Sequence, residues 1–140
     1  MKKLILLRGL PGSGKTTFAE FLCDFLLPDL PVYCFAADDY FTDEEGNYNF
    51  KVDKLGAAHA LCLNNTLNVM HNWKSGDEAV ILVHNTFTTE KELEPYITAA
   101  NGFKFEIISI VFENRHGHKS VHKVPDEVMG KMKNRFKVSL

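Results

Sequence analysis

The stretch Gly9-Leu10-Pro11-Gly12-Ser13-Gly14-Lys15-Thr16 decides the fold of this chain. It matches the pattern G-x-x-x-x-G-K-[ST], in which glycines let the backbone bend so that successive N–H groups point at an anion. Residues 3–8 before it form a short apolar run without a helical period, which predicts a buried parallel strand. Residues 15–27 after it predict a helix that Pro28 stops. The succession of strand, glycine-rich loop and helix predicts a phosphate-binding loop.

Each residue type in this loop has a physical role toward a nucleotide. Lys15 supplies a positive charge to the β- and γ-phosphates, the Thr16 hydroxyl is placed to ligate Mg²⁺, and the following helix adds its dipole. ATP is favoured over GTP because no guanine motif of the form Asn-Lys-x-Asp follows downstream. The predicted nucleotide-binding residues are Gly9, Pro11, Gly12, Ser13, Gly14, Lys15, Thr16 and Thr17.

Strands and helices alternate through the rest of the chain. Further strands are predicted over 32–37, 79–83 and 105–112, and further helices over 51–73, over 89–100 and after Pro125. This alternation predicts an α/β fold with three layers, in which helices cover both faces of a parallel sheet of about four strands. Right-handed crossovers leave few topologies, and the order 2-3-1-4 is expected.

Several details of the predicted helices can be tested in the structure. Residues 75–77 are expected to end the helix over 51–73, and Thr89 with Glu92 has the spacing of a capping box. Pro95 is expected to kink or restart its helix. The inward face of the longest helix is predicted to carry Leu55, His59, Cys62, Thr66, Val69, Met70 and Trp73.

Composition sets the broad class. The chain has 140 residues, 45% apolar and 24% charged, with a net charge of −2. These values predict one globular domain over 1–140, exclude disordered, collagen-like and coiled-coil chains, and disfavour a wide basic surface for long nucleic acid. The three cysteines, Cys23, Cys34 and Cys62, are odd in number and lie in apolar segments, so we expect buried free thiols in a reducing compartment.

No targeting or membrane segment is expected. The apolar run at the N-terminus ends at Arg8 after four residues, whereas an export signal needs roughly seven to fifteen. No run approaches the roughly 18 apolar residues of a membrane span. The sequence therefore predicts a cytoplasmic protein.

Acidic residues follow the second predicted strand, in Ala37-Asp38-Asp39-Tyr40-Phe41. In open α/β sheets, ligands bind beyond the carboxyl ends of the strands. A carboxylate at this position could accept the proton of an acceptor hydroxyl during phosphoryl transfer. Alternatively, Asp38 and Asp39 only cap the following segment. Spacing alone leaves both interpretations open.

These stretches together resemble the polynucleotide 5′-hydroxyl kinase family, the kinase half of phage end-healing enzymes. The chain is still more similar to small stand-alone ATP-binding proteins of phages and bacteria in that superfamily. The resemblance covers nearly the whole chain and is carried by residues 7–17, 37–41, 46–50, 58–59, 85–88 and 124–125.

The resemblance implies a P-loop kinase fold with a C-terminal lid at about 113–124, followed by a helix. It implies that Asp38 is the general base and that Arg115, ten residues before Pro125, is the lid arginine on the donor phosphates. Lys15 completes the implied catalytic set, with ATP and Mg²⁺ as cofactors. The implied acceptor site includes Asp39, Tyr40, Asn85 and Thr86.

Two departures from the family pattern leave the identity of the phosphate acceptor open. Phe41 stands where the phage enzymes carry an arginine that contacts the acceptor phosphate, and Asn85 stands where family members place an acid near the metal. Transfer of the γ-phosphate to the 5′-hydroxyl of a DNA or RNA end is the leading hypothesis. Phe41 and the acidic residues 43–45 favour a kinase for a nucleoside or small molecule. Asn85 favours an ATP-binding interaction module with little catalysis.

Three further groups carry alternative interpretations. The histidines His116, His118 and His122 suit a basic lid better than a metal site. His59 is expected to be a core histidine. The aromatic residues Tyr40, Phe41, Tyr48 and Phe50 are expected to form local core, with stacking on a base as the alternative.

Overall fold

The strands form a parallel sheet in the predicted order. The computed structural model describes residues 2–74, 78–115 and 124–139. Within these residues a four-stranded sheet has the order β2-β3-β1-β4, and all its pairs are parallel. The strands are β1 (Lys2–Arg8), β2 (Val32–Phe35), β3 (Ala79–Asn85) and β4 (Glu106–Val111).

The register brings the carboxyl ends of the strands to one edge. Arg8, the last residue of β1, lies opposite Asn85 of β3 and Val111 of β4. Phe35, the last residue of β2, pairs with Val83. The phosphate loop and the segment that carries Asp38 therefore leave the sheet at the same edge, as the position of ligand sites in such sheets requires.

The helices deviate from the predicted bounds mainly at their ends. The segment predicted over 15–27 is α-helical to Phe21 and π-helical from Leu22 to Leu26, and the longest helix is preceded by a 3₁₀ turn over Val52–Lys54. Another 3₁₀ segment spans Ala37–Phe41. The α-helices are α1 (Lys15–Phe21), α2 (Leu55–His71), α3 (Glu90–Gly102) and α4 (Asp126–Arg135).

Pro95 does not restart α3. The helix continues through it, because its burial of Leu93, Tyr96 and Ala100 against the sheet outweighs the loss of one backbone hydrogen bond. The predicted capping box is wrong: the Glu92 carboxylate accepts the N–H of Thr88 at 2.9 Å and the Thr88 hydroxyl at 3.0 Å, and makes no side-chain cap with Thr89. Thr88 is buried, so its polar groups need protein partners more than those of Thr89 do.

The alternation of side chains along β1 divides the core into two layers. Leu4 and Leu6 pack in one cluster with residues of α2 and α3, whereas Ile5 and Leu7 pack in another with Ala19 of α1. Helices therefore cover both faces of the sheet, as the sequence predicted. The predicted inward face of α2 is confirmed at Cys62, Thr66 and Met70, which are buried. The other predicted members of that face are half-buried, and Ala58, which was not predicted there, is buried with it.

The expectation of buried thiols is correct for one cysteine and wrong for another. Cys62 is buried, Cys23 is half-buried and Cys34 is exposed, because β2 is an edge strand. All three thiols are free. Among the described helices, none is long and apolar enough to cross a membrane. The predicted helix end at 75–77 lies outside the described residues.

Candidate nucleotide and acceptor site

A cleft of about 850 Å³ lies at the carboxyl edge of the sheet. The phosphate loop and the start of α1 line one side of it. The segment after β2, the end of β3, the start of α2 and Met132 of α4 line the rest. The topology thus brings together residues that are more than one hundred positions apart in the sequence.

The phosphate loop has the backbone geometry that its glycines predict. Gly12 and Gly14 have φ values of 84° and 98°, which side chains with a Cβ rarely adopt. A Cβ on Gly9 would lie 2.5 Å from Ser13 Oγ and 2.9 Å from the carbonyl oxygen of Phe112, so only glycine fits there. The Ser13 hydroxyl is buried without a hydrogen-bond partner. A buried polar group of this kind costs free energy unless a ligand atom satisfies it.

Lys15 is held against its own loop. Its Nζ donates to the carbonyl oxygen of Gly9 at 2.7 Å and to that of Leu10 at 3.1 Å. Burial lowers the pKa of Lys15 to about 8, and the negative charge of Asp38 opposes this shift. Thr16, in the first turn of α1, is exposed and lines the same cleft. The cation and the hydroxyl that a nucleotide would need therefore lie together.

The two acids after β2 have different surroundings. Asp38 lines the cleft, and its Oδ1 accepts a hydrogen bond from the hydroxyl of Tyr48 at 2.9 Å. Asp39 is exposed and lies outside the cleft lining, and its Oδ2 accepts the N–H of Ala36 at 3.1 Å. The capping interpretation thus fits Asp39, whereas Asp38 faces the cleft.

Asn85 joins the end of β3 to the segment that carries Asp38. Its side chain is buried, its Oδ1 accepts the N–H of Ala37 at 2.7 Å, and its Nδ2 lies 3.5 Å from the Sγ of Cys62. Thr86 lines the cleft, and its carbonyl oxygen accepts the N–H of Gly9 at 3.2 Å. Asn85 and Thr86, two of the four residues of the predicted acceptor site, therefore also hold the neighbouring loops in place.

Aromatic residues form one wall of the cleft. Phe41 is buried, and its ring contacts those of Tyr48 and Phe50. Tyr48 and Phe50 also line the cleft, whereas Tyr40 is 41% exposed and lies outside its lining. The local-core expectation is confirmed for Phe41. Tyr48 and Phe50 both pack on it and face the cleft.

Two histidines line the cleft near Asp38. His59 of α2, expected in the core, is half-buried on the cleft wall, and His84 lies near the end of β3. Burial lowers the pKa of both imidazoles, although nearby carboxylates oppose the shift. Sequence reasoning did not select His84; its position at the carboxyl end of a predicted strand was the available signal.

Arg115 lies away from the residues that line the cleft. Its side chain is 86% exposed and its guanidinium pairs with Glu113. Residues 116–123, most of the predicted lid, lie outside the described residues, as do His116, His118 and His122. Val124, where the description resumes, lines the cleft. Within the described ranges, no cluster of three or more His, Cys, Asp or Glu side chains could hold a metal ion.

Comparison with known proteins gives a family match over nearly the whole chain. A family model described as an AAA domain matches residues 4–138. NEDD4-binding protein 2 of Homo sapiens is 35% identical over 106 residues, which cover 75% of this chain and 6% of that protein. The chain therefore spans only a small part of that relative's length.

Solved structures with the same fold include kinases. The Pnkp1/Rnl/Hen1 RNA repair complex contains a chain with a TM-score of 0.62 and 17% identity, covering 96% of this chain and 44% of that one. A gluconokinase from Sinorhizobium meliloti 1021 has a TM-score of 0.58 and 12% identity, covering 98% of this chain and 76% of that one. These likenesses, with the sheet and the phosphate loop, confirm the predicted α/β fold of P-loop kinases.

Proposed function

This chain belongs to the AAA-domain family, and we propose that it is an ATP-dependent kinase that transfers the γ-phosphate to a hydroxyl. The leading acceptor is the 5′-hydroxyl of a DNA or RNA end. One observation carries the proposal: Asp38 and the phosphate loop with Lys15 line the same cleft. A carboxylate facing a phosphate site is the arrangement that phosphoryl transfer to a hydroxyl requires.

The loop fits a nucleotide with Mg²⁺. The buried Ser13 hydroxyl has no hydrogen-bond partner, and the close approach at Gly9 leaves space only for backbone. Thr16 would hold the metal together with the phosphates, since Mg²⁺ binds through few protein ligands and substrate oxygens. When bound, Mg²⁺ would neutralise charge on the phosphates.

In the proposed reaction, Asp38 accepts the proton of the acceptor hydroxyl. The acceptor oxygen forms a bond to the γ-phosphorus while the bond between that phosphorus and the bridging oxygen breaks, which leaves ADP. Lys15 stabilises charge on the phosphate oxygens. Arg115 is proposed to add a second cation; its side chain is exposed on the segment that precedes the predicted lid.

The nucleic-acid acceptor is supported by the resemblance of the sequence to polynucleotide 5′-hydroxyl kinases. A protein of the same fold belongs to a complex described as an RNA repair complex. The aromatic wall formed by Tyr48 and Phe50 could also stack on a terminal base.

A kinase for a nucleoside or small molecule is the second candidate. Phe41 is 6% exposed, so neither its chemistry nor its position allows contact with an acceptor phosphate. Asp43, Glu44 and Glu45 are exposed on the hairpin that follows, and their charges disfavour a polyanion. One protein of the same fold is a gluconokinase.

A binding module with little catalysis is the third candidate, favoured by Asn85. A carboxamide has no charge to offer a metal, and the Asn85 side-chain oxygen already accepts the Ala37 N–H. The placement of Asp38 on the cleft argues for catalysis instead.

Transfer of labelled γ-phosphate from ATP tests these candidates. The acceptors are 5′-hydroxyl DNA, 5′-hydroxyl RNA, mixed nucleosides and none. Lys15→Ala and Asp38→Asn should abolish transfer, whereas Asp53→Asn, on the exposed turn before α2, should not. Label on oligonucleotide ends supports the leading acceptor, and label only on nucleosides supports the second. No transfer with intact ATP binding contradicts the kinase proposal.

A further inference from the structure

We propose that Tyr48 is a positioning residue for Asp38, whose carboxylate it orients through the phenol hydrogen bond. The proposal rests on the proposed kinase function, since it concerns how the general base is held ready. Tyr48 touches neither donor nor acceptor in this role; it acts through Asp38.

The contact itself is direct. The Tyr48 hydroxyl donates to Asp38 Oδ1 at 2.9 Å, and both side chains line the cleft. A hydrogen bond donated to a carboxylate stabilises its charged form and restricts its rotation. Burial and the charge of Asp38 raise the pKa of Tyr48, so the phenol remains a donor at all working pH values.

The position of Tyr48 is fixed by contacts that do not involve Asp38. An antiparallel bridge pairs Thr42 with Tyr48, and the N–H of Asn49 donates to the carbonyl oxygen of Phe41 at 2.8 Å. The Tyr48 ring meets that of Phe41 at a centroid distance of 6.2 Å. A rigidly held phenol can orient the carboxylate, whereas a mobile one would only follow it.

The turn of this hairpin is itself well determined. The side chain of Asp43 accepts the N–H groups of Glu45 and Asn47 at 2.9 and 2.8 Å. Gly46 has a φ of 86°, a conformation that glycine adopts without strain. Residues 42–48 therefore form an ordered hairpin, and this hairpin holds Tyr48 in place beside Asp38.

The backbone of Asp38 is held from the opposite side. Asn85 of β3 accepts the N–H of Ala37, the residue before Asp38, at 2.7 Å. Asn85 of β3 thus positions the backbone next to Asp38, and the Tyr48 hydroxyl positions the Asp38 carboxylate. We therefore assign the orientation of the Asp38 side chain to Tyr48.

Other titratable groups also face Asp38 and must be held constant in any test. They include Lys15 of α1, His59 of α2 and His84 of β3; burial lowers the pKa of each, and the negative charge of Asp38 opposes that shift. Tyr48→Phe leaves all three in place and keeps the ring that packs on Phe41. A comparison of this variant with the wild type therefore isolates the hydroxyl.

The test is a comparison of kcat and KM for Tyr48→Phe, with Tyr33→Phe as the matched control. Tyr33 is 43% exposed on the edge strand β2 and lies outside the cleft lining. We expect kcat of Tyr48→Phe to fall about 10-fold. The KM for ATP should change less than about 2-fold, and Tyr33→Phe should match the wild type.

Two kinetic outcomes overturn the proposal. One is an unchanged kcat. The other is a fall in kcat accompanied by a rise of more than about 2-fold in the KM for ATP, which a general distortion of the cleft would give. Urea unfolding of both variants checks that Tyr48→Phe is folded at the assay temperature.

A second readout separates this proposal from the kinase function. If the wild-type protein transfers phosphate to no acceptor, the proposed function fails. Crystal structures of the two proteins still test Tyr48. The Asp38 carboxylate should have one orientation in the wild type and a different one, or several, in Tyr48→Phe. The same single orientation in both proteins overturns the proposal.

Discussion

Replacing Arg8 with methionine should destabilise the fold, because this side chain ties three distant segments together. Arg8 is 2% exposed at the end of β1. Its Nε and Nη2 donate to the carbonyl oxygen of Phe87 at 3.2 and 2.8 Å, and Nη2 also donates to that of Lys137 at 2.5 Å. Its Nη1 pairs with Glu90 at 3.2 Å, and the guanidinium lies 5.4 Å from the Phe136 ring centroid.

The expected loss of stability depends on whether water can replace Arg8 as the hydrogen-bond donor to each of its partners. The carbonyl of Phe87 belongs to a residue that is 1% exposed, so its unsatisfied oxygen costs about 1–3 kcal/mol. Lys137 is exposed and the Glu90 side chain is 44% exposed, so water replaces Arg8 there and the loss is about 1 kcal/mol together. Methionine keeps most of the apolar volume. The free energy of unfolding should fall by about 2–4 kcal/mol, which corresponds to a fall of about 7–14 °C in Tm.

Urea unfolding, followed by circular dichroism and extrapolated to water, measures this loss. Arg135→Met is the matched control, since Arg135 is exposed at the end of α4. Its effect should stay below about 0.5 kcal/mol. If Arg8→Met loses less than about 1 kcal/mol with an unchanged m-value, the assumption that these buried hydrogen bonds stabilise the fold is wrong.

Three further changes test other parts of the site. Gly9→Ala should weaken ATP binding at least about 10-fold in calorimetry, because the added Cβ would lie 2.9 Å from the Phe112 carbonyl oxygen. Gly56→Ala is the control, since a Cβ at Gly56 meets open space. Equal affinities of the two variants for ATP would contradict the loop geometry. The pKa of Lys15, lowered from 10.5 to about 8, means that the unfolded chain binds more protons between these values. The stability of the wild type relative to Lys15→Met should therefore rise from pH 8 to 10.5 in urea titrations, and a constant difference would refute the shift. Asn85→Leu should cost about 1–3 kcal/mol in urea unfolding, because the Ala37 N–H loses its acceptor; a cost under about 0.5 kcal/mol would mean that this bond contributes little.

Much of the fold was predictable from local sequence. The apolar runs of β1 and β3 and the glycine pattern at Gly9, Gly12 and Gly14 depend on neighbours in the chain, so sequence reveals them. The alternation of strands and helices then left few topologies, and the observed order is the one that was expected among them. The phosphate loop and the placement of Asp38 at the same edge followed from these features.

The burial of individual side chains depended on how the strands and helices pack against one another in the folded structure. Periodicity placed His59 on the inward face of α2, but only the packed structure shows that this part of the face meets the cleft. Cys34 lies in an apolar strand and is exposed because β2 is an edge. Thr88, rather than Thr89, pairs with Glu92 because burial, which the spacing does not encode, decides which group needs a partner.

The sequence by itself indicated the phosphate loop, a small set of sheet orders and the pair of acids after β2, because each follows from local conformational preference and short connections. The choice of Asp38 from that pair came from the resemblance to polynucleotide 5′-hydroxyl kinases. Only the tertiary structure decided how that acid is held: Tyr48 reaches Asp38 across a hairpin, and Asn85 reaches Ala37 from another strand. The same is true of Arg8, which bonds to Lys137 over 129 positions of chain. Side-chain hydrogen bonds form between groups that the fold brings within about 3 Å, and separation along the chain carries no information about that distance.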